Sequence, residues 1–170
     1  MTNRTDDDIE VEVSSPVCSM HEADDAYMGY ASKNELIAFL NELLEAERAG
    51  ARATFESAPI AGSYRIAELL RTIQRDETRW CAMLAGHIKA LGEVPSRRVG
   101  AFYGKAMAIG GLGDRITFLN RGQRWVMRKL REMLPRVRND QLHANLYEML
   151  RSHEGNITLV NDLVASISEG

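Results

Sequence analysis

Only two of the 170 residues are cysteines, and Cys18 and Cys81 lie far apart in the chain. This excludes a disulfide-stabilised scaffold, because such small domains depend on several cysteine pairs. No run of eighteen apolar residues occurs, which excludes a conventional transmembrane helix. The acidic first residues lack the basic and apolar segments of a signal peptide. We therefore expect a cytoplasmic protein with free thiols and no contact with membranes.

Proline is also rare, and its positions delimit helices rather than interrupt them. Pro59, Pro95 and Pro135 lie between long segments in which apolar residues recur every three or four positions. That recurrence is typical of helices with one buried face, and proline is excluded from helix interiors. The pattern predicts four long helices, over residues 33–57, 64–91, about 114–134 and about 140–167.

The ends of these helices and the links between them indicate a topology. Ser32 and Glu35 form a capping box before the first helix, Ser63 can cap the second, and Gly92 can end it. The first and third links are short, so each joins antiparallel neighbours. The second link has about 22 residues, including a candidate short helix at 99–109, and can cross the length of a bundle. We therefore predict an all-α, antiparallel four-helix bundle with one long crossover between helices 2 and 3.

Negative charge is concentrated at one end of the chain. Residues 1–30 carry a net charge of −7, whereas the remainder carries +4. Because the same segment lacks helical periodicity, we expect an acidic N-terminal tail over residues 1–31 and a bundle domain over residues 32–170. The composition is compatible with a solvated tail and with one that folds back onto the basic body.

Two glutamates lie where the helical pattern predicts buried apolar side chains. Glu47 continues the stripe of Leu36, Leu40 and Leu43 in the first helix, and Glu77 follows Ile73 in the second. An ionised carboxylate in a dry core costs several kcal/mol unless it is paired, protonated or bound to a metal. The sequence therefore predicts a compensating group for each of them inside the bundle.

The placement of these glutamates resembles the ferritin-like family, which includes rubrerythrin and bacterioferritin. Leu43-Leu44-Glu-Ala-Glu47 is similar to the family's first helix, and Asp76-Glu77-Thr-Arg-Trp80 is similar to its second. The family holds two iron or manganese ions with a Glu from each of two helices and Glu-x-x-His from each of the other two. The resemblance covers residues 33–167 and implies the same bundle and a core site.

Several ligand positions of that pattern have changed in this chain. The resemblance implies four metal ligands, Glu47, Glu77, His153 and Glu154, of which His153 and Glu154 are alternatives for one family position. Trp80 stands where the family has His, Gln123 where it has Glu, and Ile157 or Asn156 where it has the second His. Around the four candidate ligands we expect a surrounding layer of polar side chains. Its members are Trp80, Gln123, Asn120 and Asn156.

The reduced ligand set leaves two functions open. Two or three carboxylates and one imidazole cannot offset two divalent ions as four carboxylates do, so we expect no cofactor or a single Fe or Mn ion. The first hypothesis is a bundle with a degenerate core site and a non-catalytic, binding or stress-related role, including a small-molecule ligand held between the helices. The alternative is a redox protein that handles peroxide or oxygen with one or two metal ions. Whether the chain is an enzyme stays open.

The third helix has a basic face, formed by Arg121, Arg124, Arg128 and Arg131. The overall net charge of −3 and the lack of interleaved aromatic residues argue against a nucleic-acid partner. The family resemblance implies a homodimer. Its interface has candidate apolar residues outside the core stripes, namely Phe39, Phe102, Tyr103 and Met107.

Overall fold

The computed structural model describes residues 27–168, and within this range it contains helices and no strand. The helices are α1 (Lys33–Ser57), α2 (Tyr64–Ala90), α3 (Phe102–Met107), α4 (Leu112–Met133) and α5 (Asp140–Ser168). The all-α prediction is confirmed, with four long helices close to their predicted bounds. The proposed acidic tail falls mainly on residues 1–26, which lie outside the described residues.

The predicted capping groups form hydrogen bonds at the helix ends. The Ser32 hydroxyl accepts from the Glu35 amide at 3.2 Å, and the Glu35 carboxylate accepts from the Ser32 amide at 2.9 Å. The Ser63 hydroxyl accepts from the Ile66 amide at the start of α2. Gly92, just beyond α2, has a φ of 83°, a backbone conformation that favours glycine. These local contacts stabilise the starts of α1 and α2 and the end of α2 where the sequence predicted them.

The four long helices form two antiparallel hairpins. A short turn with a 3₁₀ segment joins α1 to α2, and a second one joins α4 to α5. The hairpins associate through contacts between α2 and α5 and between α1 and α4. None of the helices in residues 27–168 is long and apolar enough to cross a membrane. The predicted bundle topology is therefore confirmed.

The crossover from α2 to α4 packs along α1 rather than looping free. The Gly100 amide donates to the Glu45 carbonyl at 3.1 Å, and the Ser96 hydroxyl donates to the Glu45 carboxylate at 2.6 Å. The crossover then forms α3, which contacts both α1 and α4. It thereby closes one side of the bundle beside the predicted ligand positions.

Phe102 anchors α3 on α4. Its ring stacks on Phe118 with the centroids 4.7 Å apart. A Cβ on Gly122 would lie 2.6 Å from the same ring, so a glycine is needed at this contact. The Tyr103 hydroxyl donates to the Glu56 carboxylate on α1. Phe39 is buried in the core, and Phe102, Tyr103 and Met107 are partly buried, so all four candidate interface residues also pack within the chain.

The interior has two apolar clusters separated along every long helix by a layer of polar side chains. The large apolar cluster contains Phe39, Leu40, Leu43, Leu44, Trp80, Leu84, Ile88, Val126, Leu130, Leu134, Val137, Leu142, Leu146, Met149 and Leu150. The small apolar cluster contains Ala53, Ala58, Leu70, Ile73, Ala106, Ile116, Leu119 and Val160. The polar layer, which we define as Glu47, Glu77, Gln123 and His153, takes one residue from each long helix.

Candidate functional site

Each member of the polar layer continues the buried stripe of its own helix. Their exposed fractions are 2% for Glu47, 4% for Glu77, 4% for Gln123 and 0% for His153. Each of them lies three or four positions from apolar neighbours on the same face, as Leu43 precedes Glu47 and Trp80 follows Glu77. The helices therefore force four polar groups into the core, where each needs a partner.

Gln123 connects the two halves of the polar layer. Its Nε2 donates to Glu77 Oε1 at 2.6 Å, and its Oε1 contacts Nδ1 of His153. A glutamine amide has separate donor and acceptor ends. Because the NH₂ end is directed at Glu77, the oxygen end must accept a hydrogen bond from the N–H at His153 Nδ1. This places a hydrogen on Nδ1 and leaves Nε2 to face Glu47.

Glu47 and His153 form a close contact between α1 and α5. Glu47 Oε1 lies 3.2 Å from His153 Nε2, within the range of an ion pair, although its direction falls outside hydrogen-bond geometry. The contact brings a carboxylate and an imidazole nitrogen together in a buried part of the core, where electrostatic interactions are stronger than in water.

Glu77 is packed against the backbone of α1. A Cβ on Gly50 would lie 2.4 Å from Glu77 Oε1, so glycine makes the room that this carboxyl group occupies. Burial raises the pKa of Glu77 well above its ordinary value of 4.5, and the nearby Glu47 carboxylate raises it further. The nearby Thr54 hydroxyl and the Gln123 amide act in the opposite direction. Proton uptake at Glu77 therefore compensates part of the buried charge.

Some buried polar atoms of the site have no hydrogen-bond partner. These include Oε2 of Glu47, Oε2 of Glu77 and Nε1 of Trp80. The Trp80 ring belongs to the large apolar cluster, and the Arg79 guanidinium lies 4.0 Å from the centre of its ring. An unpartnered buried acceptor is costly, so the two carboxylate oxygens mark the part of the site where a further group would be stabilising.

The other predicted site residues face different partners. Glu154 Oε1 accepts from Arg131 at 2.9 Å, and its second oxygen lies 3.4 Å from Arg151, at the bundle surface. The structure therefore does not bring Glu154 to the other three predicted ligands. Asn156 donates to Asp76 at 3.2 Å, and Asn120 donates to Asn161 at 3.1 Å. These two amides are buried, and they bond Asn161 and Asp76 rather than Glu47 or Glu77.

A cavity of about 450 Å³ leads from the surface to the polar layer. It lies between α1, α4 and the crossover, and Glu47, Glu77 and Gln123 belong to its lining. Most of the remaining wall is apolar or aromatic, and charged side chains lie at its edge. The other lining residues are Glu42, Glu45, Ala46, Gly50, Gly100, Ala101, Phe102, Lys105, Phe118, Leu119, Arg121, Gly122, Trp125 and Val126.

Comparisons with known proteins agree with this architecture. A domain family of unknown function, DUF6306, matches residues 34–162, which is most of the chain. The chain belongs to the DUF6306 family. The fold is similar to a solved structure described as a ferritin-like, diiron-carboxylate protein from Bacillus anthracis, with a TM-score of 0.69 and 17% sequence identity. The match covers 77% of this chain and 96% of that one. No curated protein sequence matches.

This DUF6306 chain therefore has the ferritin-like fold predicted from its sequence. A fold of this kind implies a pair of metal ions held by carboxylates in the bundle core. The donor set of this chain does not fit such a pair. Trp80 has only an N–H donor, and Gln123 directs its NH₂ group at Glu77, so neither side chain contributes a negative oxygen. Across residues 27–168, no group of three or more His, Cys, Asp or Glu side chains is arranged to hold a metal ion.

Cys81 lies one helical turn from Glu77 and is not activated. Burial raises the pKa of the Cys81 thiol to about 12, with a further increase from Glu47. The thiol therefore stays protonated near neutral pH, and thiols in this form are poor nucleophiles and poor metal ligands. This agrees with a small, half-buried apolar role for the side chain.

Three features of the DUF6306 site were not predicted from the sequence. Gly50 makes room for the Glu77 carboxyl, Asp76 accepts from Asn156, and Phe102 brings the crossover to the cavity wall. A glycine in the middle of a helical stripe is a usable signal, since glycine destabilises helices and is retained there for close approach. The other two features have no local signal because they depend on how distant segments pack.

Proposed function

We propose that this chain is a non-catalytic binding protein with a ferritin-like fold, in which a metal-free polar layer forms the inner end of a ligand cavity. The observation that carries this proposal is the Gln123 side chain, which bonds Glu77 at one end and His153 at the other. In the family's metal centre this helix contributes a carboxylate. Here an amide links the two groups directly.

A proton on Glu77 takes the place of part of the positive charge that metal ions supply in the family. Glu77 has a pKa well above 4.5 because of its burial and the neighbouring Glu47. Glu47 faces the imidazole ring of His153, with Oε1 and Nε2 3.2 Å apart. The proton on Glu77 and this neighbouring ring reduce the cost of two buried carboxyl groups without a divalent ion, which supports a metal-free core.

The cavity supports a binding role. Its volume of about 450 Å³ falls within the usual range for small-molecule sites, and its wall combines apolar side chains with a few polar groups at one end. In a bundle whose core were purely structural, apolar packing would be expected to fill this space. The ligand enters between α1, α4 and the crossover, and the Glu47 and Glu77 carboxyl groups define the deep end.

Metal loading tests the metal-free part of the proposal. We expect purified protein, incubated anaerobically with Fe²⁺ or Mn²⁺ and desalted, to retain well below one ion per chain by elemental analysis. A matched variant restores the family's donors with Trp80→His, Gln123→Glu, His153→Glu and Asn156→His. If this variant folds by circular dichroism, we expect it to retain metal because four carboxylates and two imidazoles are then available.

Retention of metal by the wild type would overturn the proposal that the polar layer is metal-free. One ion per chain, lost in Glu47→Gln, would instead favour a single Fe or Mn site that handles peroxide or oxygen. The unpartnered Glu47 Oε2, Glu77 Oε2 and His153 Nε2 are the atoms that favour this second candidate.

We also propose that the protein is a cytoplasmic homodimer. Phe55, Ile60 and Tyr64 are exposed by 67%, 60% and 80% around the turn between α1 and α2. Large exposed apolar side chains near one another favour an interface. Light scattering after size exclusion should give twice the chain mass of 19.0 kDa, and Ile60→Lys should shift it towards the monomer.

A further inference from the structure

We infer that the cavity beside the polar layer binds a small organic cation, a primary amine or amidine with an apolar body. This inference rests on the proposed binding function and specifies the chemical class of the ligand. It follows from the juxtaposition of two unpartnered carboxylate oxygens at the inner end with an aromatic and aliphatic wall.

The inner end of the cavity has an excess of hydrogen-bond acceptors. Glu47 and Glu77 both line it, and Oε2 of each has no partner although both side chains are more than nine-tenths buried. An ammonium or amidinium group would donate hydrogen bonds to these oxygens and supply positive charge that the two buried carboxyl groups need.

The wall favours an apolar body attached to the cationic head. Phe102, Phe118 and Trp125 supply aromatic surface, and Leu119 and Val126 supply aliphatic surface. A bare metal ion would use none of this surface. A cavity of about 450 Å³ is large enough for a molecule with an aromatic ring and a short chain.

The rim of the cavity contains charges of both signs and so does not itself select a cation. Glu42 pairs with Lys129 at 3.0 Å, and Glu45 pairs with Arg98 at 3.0 Å, so both rim carboxylates already have partners. Lys105 and Arg121 also belong to the lining. Selectivity for positive charge must therefore come from the inner end, where Glu47 and Glu77 have free acceptor atoms.

Three ligands that differ mainly in charge test the inference. They are phenethylamine, which is a cation at pH 7, the neutral 2-phenylethanol and the anionic 3-phenylpropionate. We expect isothermal titration calorimetry on the wild-type chain to show that phenethylamine binds about tenfold or more tightly than 2-phenylethanol, as expected for hydrogen bonds to charged groups. The anion should bind more weakly than either.

Variants identify the source of the preference. In the double variant Glu47→Gln with Glu77→Gln, we expect the preference for phenethylamine over 2-phenylethanol to fall to about twofold or less, since only neutral acceptors remain. The single variant Glu77→Gln should lie between this and the wild type, which provides a measurement if the double variant fails to fold. Glu148→Gln on the outer side of α5, where Glu148 pairs with Arg79, should retain the wild-type preference.

The binding measurements distinguish a failure of the cation preference from a failure of the proposed binding role. Equal binding of all three compounds to the wild type would overturn the cation inference and leave a binding cavity in place. A preference that survives in the double variant would also overturn it, because the selecting group would then lie elsewhere. Failure of all three compounds to bind would overturn both the inference and the proposed binding role.

Discussion

The large apolar cluster and the polar layer occupy neighbouring sections of the same four helices, yet they are stabilised in different ways. Leu43 and Leu84 are fully buried, and burial itself is the favourable term because it removes apolar surface from water. Glu47 and Glu77 are almost as buried, and for them burial is the unfavourable term. Similar burial therefore stabilises the fold at the leucines and destabilises it at the glutamates. The polar layer consequently depends on specific partners from other helices.

Removing the histidine from the polar layer should cause the largest loss of stability. In His153→Leu, Glu47 loses the atom that faces it at 3.2 Å, and Gln123 loses its contact at Oε1. We expect the free energy of unfolding to fall by about 3–5 kcal/mol, as for buried pairs deprived of one partner. Urea denaturation monitored by circular dichroism measures this.

A double variant shows whether the loss comes from stranded charge. Adding Glu47→Leu to His153→Leu removes the carboxylate that the first change leaves alone, so most of the stability should return. If the double variant is as unstable as the single one, lost packing around His153, and not charge, governs the polar layer.

Shortening a side chain in the large apolar cluster should cause a smaller loss of stability. This loss should not depend on a hydrogen-bond or charge partner on another helix. Leu84 is fully buried in α2, and Leu84→Ala should lower the free energy of unfolding by about 3 kcal/mol through lost burial and a cavity. Leu159→Ala is the control, since Leu159 is 48% exposed in α5. A cost for Leu84→Ala as small as that of the control would mean that this section of the bundle repacks freely.

The polar layer should also make stability depend on pH. The pKa of Glu77 is raised in the folded chain, so the folded state binds this proton more tightly than the unfolded state does. Its contribution is therefore complete below about pH 4.5 and is lost as the pH rises towards the raised pKa, by up to about 1.4 kcal/mol per pH unit. Urea denaturation over a pH series should show this decline in the wild type.

Substitution at Glu77 isolates that titration. Glu77→Gln keeps an acceptor for Gln123 Nε2 and has no titrating proton, so its stability should decline less as the pH rises above about 4.5. Glu148→Gln, in an exposed pair with Arg79, should show the decline of the wild type. An unchanged pH profile in Glu77→Gln would mean that another group titrates.

The smallest expected effect lies outside both regions, at the start of α1. Ser32→Ala removes the hydroxyl that accepts from the Glu35 amide, and it should cost about 1 kcal/mol in thermal or urea unfolding. Ser166→Ala is a control for loss of a serine hydroxyl near a helix end, in the last turns of α5, where its hydroxyl bonds the Leu163 carbonyl. An equal cost for both would show that the cap contributes nothing specific.

Sequence patterns predicted the fold more completely than the site. The periodic stripes, the Ser32 and Ser63 caps and the prolines located the helices because they act over a few residues. The same stripes identified Glu47, Glu77, Gln123 and His153 as core residues, since position on a helix decides which side chains face inward. Glu154 follows His153 directly in the chain, and only the packed bundle places it with Arg131 and Arg151 at the surface.

The sequence by itself determined that four helices would form and that two glutamates would be buried among leucines. Local hydrogen bonds and the helical repeat decide both, and neither needs a distant partner. The tertiary structure alone decided that Gln123 joins Glu77 to His153, that Gly50 accommodates the Glu77 carboxyl and that the crossover leaves a cavity beside them. These features depend on ångström-scale distances between helices, which packing of the whole bundle fixes and no single segment encodes.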